Sequence, residues 1–126
     1  MNILVSLKPD QYPEISHHSY GTIAEIDWES KKLVRRAIFP CPSYKTEHAF
    51  AAPLVGGVCM LRGRLPCAFW NCVVEIDYET FEVSNVVSHP YMVDLHGIST
   101  DGKDVWVAST GIDAVLCLDG GSLELK

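Results

Sequence analysis

The stretch "VVEIDYETFEVSNVVSHP", residues 73–90, has an earlier counterpart in the same chain: "IAEIDWESKKLVRRAIFP" occupies 23–40. Both carry Glu-Ile-Asp, an aromatic residue, Glu, then Ser or Thr, and both close with an alternating run that ends in proline. Asp77 follows Asp27 by 50 positions, and a weaker third version, "AVLCLDGGSLELK" (114–126), sets Asp119 another 42 positions on. Period-2 alternation on either side of a short polar turn is the pattern of a β-hairpin, so each version predicts strand, turn, strand. An aspartate at the end of the first strand predicts a carboxylate that accepts backbone N–H bonds from the turn.

Working outward, an apolar run precedes each hairpin: "NILVSLK" (2–8), "RLPCAFW" (64–70) and "DVWVAST" (104–110). Two of these have a further strand before them, "GGVCML" (56–61) and "HGIST" (96–100), connected by turns at Arg62-Gly63 and Asp101-Gly102. The unit is four strands in ~40–50 residues, the strand number and period of a β-propeller blade. The chain therefore predicts an all-β fold in one domain, residues 1–126. It would consist of about three four-stranded antiparallel blades over roughly 1–40, 41–90 and 91–126, the first lacking its inner strand.

"DLHGISTDGKDVWVASTGIDAVLCLD" (94–119) resembles blades of the NHL-like and gluconolactonase-like propellers. In that group a His-Gly or Pro-Gly-Ile start, an Asp-Gly turn, a Trp-Val strand and an Ala-Val strand ending in Asp recur. The resemblance implies the propeller fold over nearly the whole chain. Gluconolactonase-like enzymes hold their metal with a Glu, two Asn and an Asp spread over several blades. No such set can be placed here, where the asparagines are Asn2, Asn71 and Asn85.

Single-chain propellers close with four or more blades, and three blades would leave two apolar flanks open. Closed symmetry covers such flanks, so the expected state is a homodimer whose half rings complete a six-bladed ring, with a five-bladed ring as the other count. The expected seam sets Ile3, Val5 and Ile23 of one copy against Trp106, Val115 and Cys117 of the other. A longer propeller of which these residues are one part is the competing reading.

Composition narrows the function. A net charge of −6 and the absence of a basic stripe argue against nucleic-acid binding. No run of 18 apolar residues occurs, so no membrane span is expected. The N-terminus lacks the basic n-region of a secretory signal, and the five cysteines contain no C-x-x-C. Together these predict reduced thiols and a cytoplasmic location.

The b–c and d–a connections hold the long segments, 9–20 and 41–53, and all five histidines, His17, His18, His48, His89 and His96, map to that face. Extra length on one face of a scaffold is where a site is expected. The candidate ligand-binding residues are His96, Asp94, His48, Tyr44, Trp70 and Tyr91. His96 and Asp94 lie at the start of an inner strand, where an imidazole and a carboxylate can hold a metal or an anion. No catalytic residue is assigned, and the metal and cofactor are unknown. The expected function is a non-enzymatic, self-assembling propeller scaffold that binds a small ligand or protein partner. The alternative is a metal-dependent, lactonase-like hydrolase with its site in the central channel.

Overall fold

A computed structural model describes residues 1–7, 19–40 and 56–126. The chain forms two compact units, Met1–Val55 and Gly56–Lys126. The described residues are all-β, with three antiparallel sheets and, between strands, one 3₁₀ turn at Thr110–Ile112.

The first unit holds β1 (Asn2–Leu7), β2 (Ser19–Asp27) and β3 (Lys32–Pro40) in that spatial order. The second unit holds two sheets. One is β4 (Gly57–Val58), β5 (Arg64–Ala68), β6 (Val73–Asp77) and β7 (Val83–Val87). The other is β8 (Leu95–Thr100), β9 (Val105–Ser109) and β10 (Ala114–Leu118). The fourth strand expected at the end of the last sheet is reduced to an isolated bridge, Leu118 to Leu125.

β4 is shorter than the six-residue run from 56 to 61 suggests, and Pro66 is the reason. Cys59 donates its N–H to the Pro66 carbonyl at 3.1 Å. The reciprocal bond needs an N–H that proline lacks, so the ladder stops after Val58.

The turns after β2, β6 and β10 are built alike. Asp27 Oδ1 accepts the N–H groups of Glu29 and Ser30, both at 2.9 Å. Asp77 Oδ1 accepts those of Glu79 (2.9 Å) and Thr80 (2.8 Å). Asp119 Oδ1 accepts those of Gly121 (2.8 Å) and Ser122 (3.1 Å). Four positions after each aspartate the chain turns left-handed, at Lys31 (φ 57°), Phe81 (φ 62°) and Leu123 (φ 61°). The following strand is also irregular at one matching place. Register shifts fall between Glu25 and Ile26 and between Glu75 and Ile76, which leaves Val34 and Ser84 as the extra residues of two β-bulges. Turn chemistry and bulge thus recur 50 positions apart, as the sequence recurs.

Cross-strand register sorts each sheet into two faces, since directly paired residues share a side. One face carries the turn aspartate. In the first sheet this Asp face holds Asn2, Leu4, Ile23 and Glu25, in the second Arg64, Pro66, Val73 and Glu75, and in the third Trp106, Ala108, Val115 and Cys117. The opposite face is mostly apolar: Ile3, Val5, Ala24 and Ile26, then Leu65, Cys67, Val74 and Ile76, then Val105, Val107, Leu116 and Leu118, with Thr22 and Ser109 among its polar residues. Ile23, expected beside Ile3 and Val5, lies on the other face, because it pairs with Ser6 while Val5 pairs with Ala24. A one-residue step reverses the side of a strand residue.

The second unit stacks its two sheets through unlike faces. Ala68 and Val73 from the Asp face of the second sheet form one core with Val105, Val107, Leu116 and Leu118 from the apolar face of the third. Leu61, Met92, Leu95 and Leu123 complete it. Each such aliphatic side chain contributes roughly 1.5–3 kcal/mol relative to exposure. The apolar face of the second sheet is also buried at Leu65, Cys67, Val74 and Ile76. The Asp face of the third sheet is open, with Trp106 41% and Val115 68% exposed.

Charged groups within this stack are paired. Glu75 is buried and bound by Arg64 Nη1 at 2.9 Å. The same guanidinium donates to the carbonyls of Gly120 and, at 3.1 Å, Gly121, so it clips the second sheet to the turn of the third. Gly120 must be glycine, because a Cβ there would overlap the Lys103 carbonyl. In the first unit, buried Glu25 accepts from Arg35 Nε at 2.6 Å and from Asn2 Nδ2 at 2.9 Å.

Candidate functional site

Asp94 and His96 flank Leu95, the first residue of β8. Leu95 is buried in the core, and His96, the next residue of the strand, points away from it. Asp94 adopts φ 54°, a left-handed conformation that Asp tolerates better than most residues, and so turns the chain into β8. Its Oδ1 is sealed from solvent, and His96 Nε2 lies 3.0 Å away, close enough for an ion pair but without hydrogen-bond alignment. His96 itself is 54% exposed.

The backbone around this pair is interlocked. Thr110 donates to the Asp94 carbonyl from both its N–H (3.1 Å) and its Oγ1 (2.7 Å). Buried Ser109 Oγ lies 2.6 Å from the Tyr91 carbonyl and accepts the Val93 N–H at 3.0 Å. Gly111 packs so tightly that a Cβ would come within 2.5 Å of Val93 Cγ1. From the neighbouring sheet, the Trp70 carbonyl accepts the Leu95 N–H at 3.0 Å. Gly56, just before β4, approaches β8 so closely that a Cβ would meet the His96 carbonyl at 2.6 Å.

Of the sequence-predicted residues, Trp70, Tyr91, Asp94 and His96 thus stand on one interlocked set of connections. Tyr91 is 56% exposed and presents its ring edge to His89, centroids 5.0 Å apart. His89 Nδ1 in turn accepts the Tyr91 N–H at 3.2 Å, a turn-stabilising role. Tyr44 and His48 lie outside the described residues, as do His17 and His18 and most of the two long connections. Sequence reasoning passed over Ser109 and Thr110, which fasten the site. The signal was present in "AST" (108–110), two hydroxyl residues where a strand ends before glycine.

Seven other carboxylates among the described residues have framework roles. Glu25 and Glu75 are paired with arginines, and Asp104 is held by Lys126 Nζ at 2.6 Å. Backbone N–H groups, first that of Ser30 for Asp27, that of Thr80 for Asp77 and that of Gly121 for Asp119, hold these carboxyls below their usual range. Asp101 is lowered to about 2 by the N–H groups of Asp104 and Lys103 and by the Trp106 indole. Among the described residues, no group of three or more His, Cys, Asp or Glu is placed to hold a metal ion.

The cysteines are free at 59, 67, 72 and 117, and Cys41 lies outside the described residues. Burial raises the Cys59 and Cys72 thiols to about 11 and pushes Cys67 higher still. Cys67 also donates its S–H to the Leu65 carbonyl at 3.2 Å.

No protein-family model matches the chain, and no curated protein matches it.

Proposed function

We propose that this protein is a non-enzymatic scaffold of propeller-type blades, self-assembling, which binds a small ligand at the connections around Asp94 and His96. One observation carries the ligand reading: an exposed imidazole sits 3.0 Å from a carboxylate oxygen that water does not reach. The pair stands on connections fixed by the hydrogen bonds of Ser109, Thr110 and Trp70. Such a pair presents a polarised N–H or an open nitrogen to a ligand, with the aromatic rings of Trp70 and Tyr91 on adjoining connections. A binding role also agrees with the framework use of Glu25, Asp27, Glu75, Asp77 and Asp119, which are engaged in turns and in ion pairs.

The propeller reading is supported by the recurring Asp turn and by the stacking of unlike sheet faces in the second unit. A cytoplasmic location is part of this proposal, on the free cysteines at 59, 67, 72 and 117.

The test follows the His96 ring by NMR during separate titrations with sodium phosphate and zinc chloride. A saturable shift at His96, Tyr91 and Trp70 with one of them, lost in His96→Ala, supports the reading. Shifts scattered over the surface, or no saturable response to either, overturn it.

A further inference from the structure

We propose that the Asp face of the third sheet docks the apolar face of the first sheet from a second copy of this chain, head to tail. The inference rests on the self-assembly reading above and names the surfaces and direction of that assembly.

One junction of this kind already exists inside the second unit. There the Asp face of the second sheet, with Ala68 and Val73 at its centre, is covered by the apolar face of the third. At the turn end Arg64 reaches across to the carbonyls of Gly120 and Gly121 in the incoming sheet. The two parts are an apolar centre and a cation that receives turn carbonyls.

The third sheet repeats both parts without a cover. Register sets Ala108 where Ala68 stands, and Val115 where Val73 stands. Val115 is the most exposed aliphatic side chain of that face, at 68%. The cation at the turn end is Lys126, drawn to Asp104 at 2.6 Å and Asp119 at 3.5 Å.

The first sheet carries the complementary parts. Ile3, Val5 and Ile26 occupy the places of Val105, Val107 and Leu118, and all three are partly exposed. Its turn sets Trp28 and Glu29 where the incoming turn of the second unit has Gly120 and Gly121. Glu29 is exposed, with the N-terminal ammonium of Met1 3.6 Å from its Oε1, and its outer carboxylate face complements Lys126 in a way a glycine turn does not. Like surfaces do not fit: a contact between two Asp faces would oppose two Trp106 side chains and leave both Lys126 groups without a turn. Head-to-tail contacts made twice about a two-fold axis close on themselves.

The experiment uses the full chain and two surface variants, Val115→Arg on the docking face and Val5→Arg on the incoming face. Light scattering should give twice 14.0 kDa for the unaltered chain and 14.0 kDa for each variant alone. Mixed one to one, the variants should recover the doubled mass, because the Val5→Arg copy keeps an intact third sheet and the Val115→Arg copy an intact first sheet. Circular dichroism checks that both remain folded. Should Val5→Arg misfold, Lys126→Glu replaces it: the dimer should weaken about threefold at low salt and recover with Glu29→Lys. A monomeric unaltered chain at high micromolar concentration overturns the inference, as does a Val5→Arg protein that stays dimeric. Neither result bears on the ligand reading, which the His96 titration decides separately.

Discussion

Arg35 and Arg64 bind equivalent glutamates from opposite sides. Arg35 reaches Glu25 from the strand that follows it, at 2.6 Å, whereas Arg64 reaches Glu75 from the strand that precedes it, at 2.9 Å. The third sheet has Cys117 at that position and dispenses with the pair. The requirement is thus for a neutralised or apolar residue, and the strand that supplies the cation is free to change.

Removing one partner should therefore be costly. Glu75→Ala should destabilise the protein by about 2–3 kcal/mol in urea unfolding, less than a fully buried pair because a quarter of the Arg64 side chain stays in water. Glu75→Cys, the residue the third sheet uses, should cost less than Glu75→Ala. Equal losses would show that the carboxylate itself, and not the filled space, is what the position needs.

Stability should fall in acid, and Asp101 should contribute to it. Its folded carboxyl titrates near about 2 against an ordinary value of 3.8. The unfolded chain binds the proton first, so the contribution is complete above about pH 4 and is lost as pH falls toward 2. Asp101→Asn keeps the acceptor and removes the titration, so thermal midpoints measured from pH 5 to 2 should fall less steeply in that variant.

Lys31 and Phe81 share a left-handed backbone but should respond to glycine with opposite sign. Lys31 is exposed, so Lys31→Gly relieves the backbone and should be neutral to stabilising by up to ~1 kcal/mol, its ring contact with Trp28 offsetting part. Phe81 is buried, so Phe81→Gly should destabilise by about 2–4 kcal/mol. Chemical denaturation of both variants checks the pair.

Thiol chemistry should divide the cysteines. Cys67 and Cys72 are buried and their thiolates suppressed, so native protein at pH 7.5 should leave both unmodified by iodoacetamide while unfolded protein reacts fully. Peptide mass mapping distinguishes them from Cys117. Rapid native labelling of Cys67 would mean that the stacked sheets open readily.

The strands, their hairpins and the Asp turns were legible in the sequence, because period-2 alternation and a carboxylate at a strand end are local signals. Two features were not. The side of Ile23 depends on pairing with Ser6, a register that spans most of the first unit's described strands and leaves no mark within either strand. The clip from Arg64 to Gly120 and Gly121 joins positions 56 and 57 apart. Nothing near Arg64 announces it, although "DGG" at 119–121 indicated a turn that a backbone could approach closely. Within the site, Asp94 and His96 were legible as a pair, while the fastening by Ser109 and Thr110 required the fold.

The second and third sheets are latched at two ends: by Arg64 at the turn end, and by the Trp70 carbonyl and Gly56 beside Leu95 and His96 at the other. Fastening at both ends opposes hinging between the two sheets. If the proposed ligand binds at His96, adjustment there falls to side-chain rotamers, which reorient in nanoseconds or faster. Little backbone ordering would then be owed on association, and the arrival rate should follow diffusion and charge, with residence time setting the selectivity.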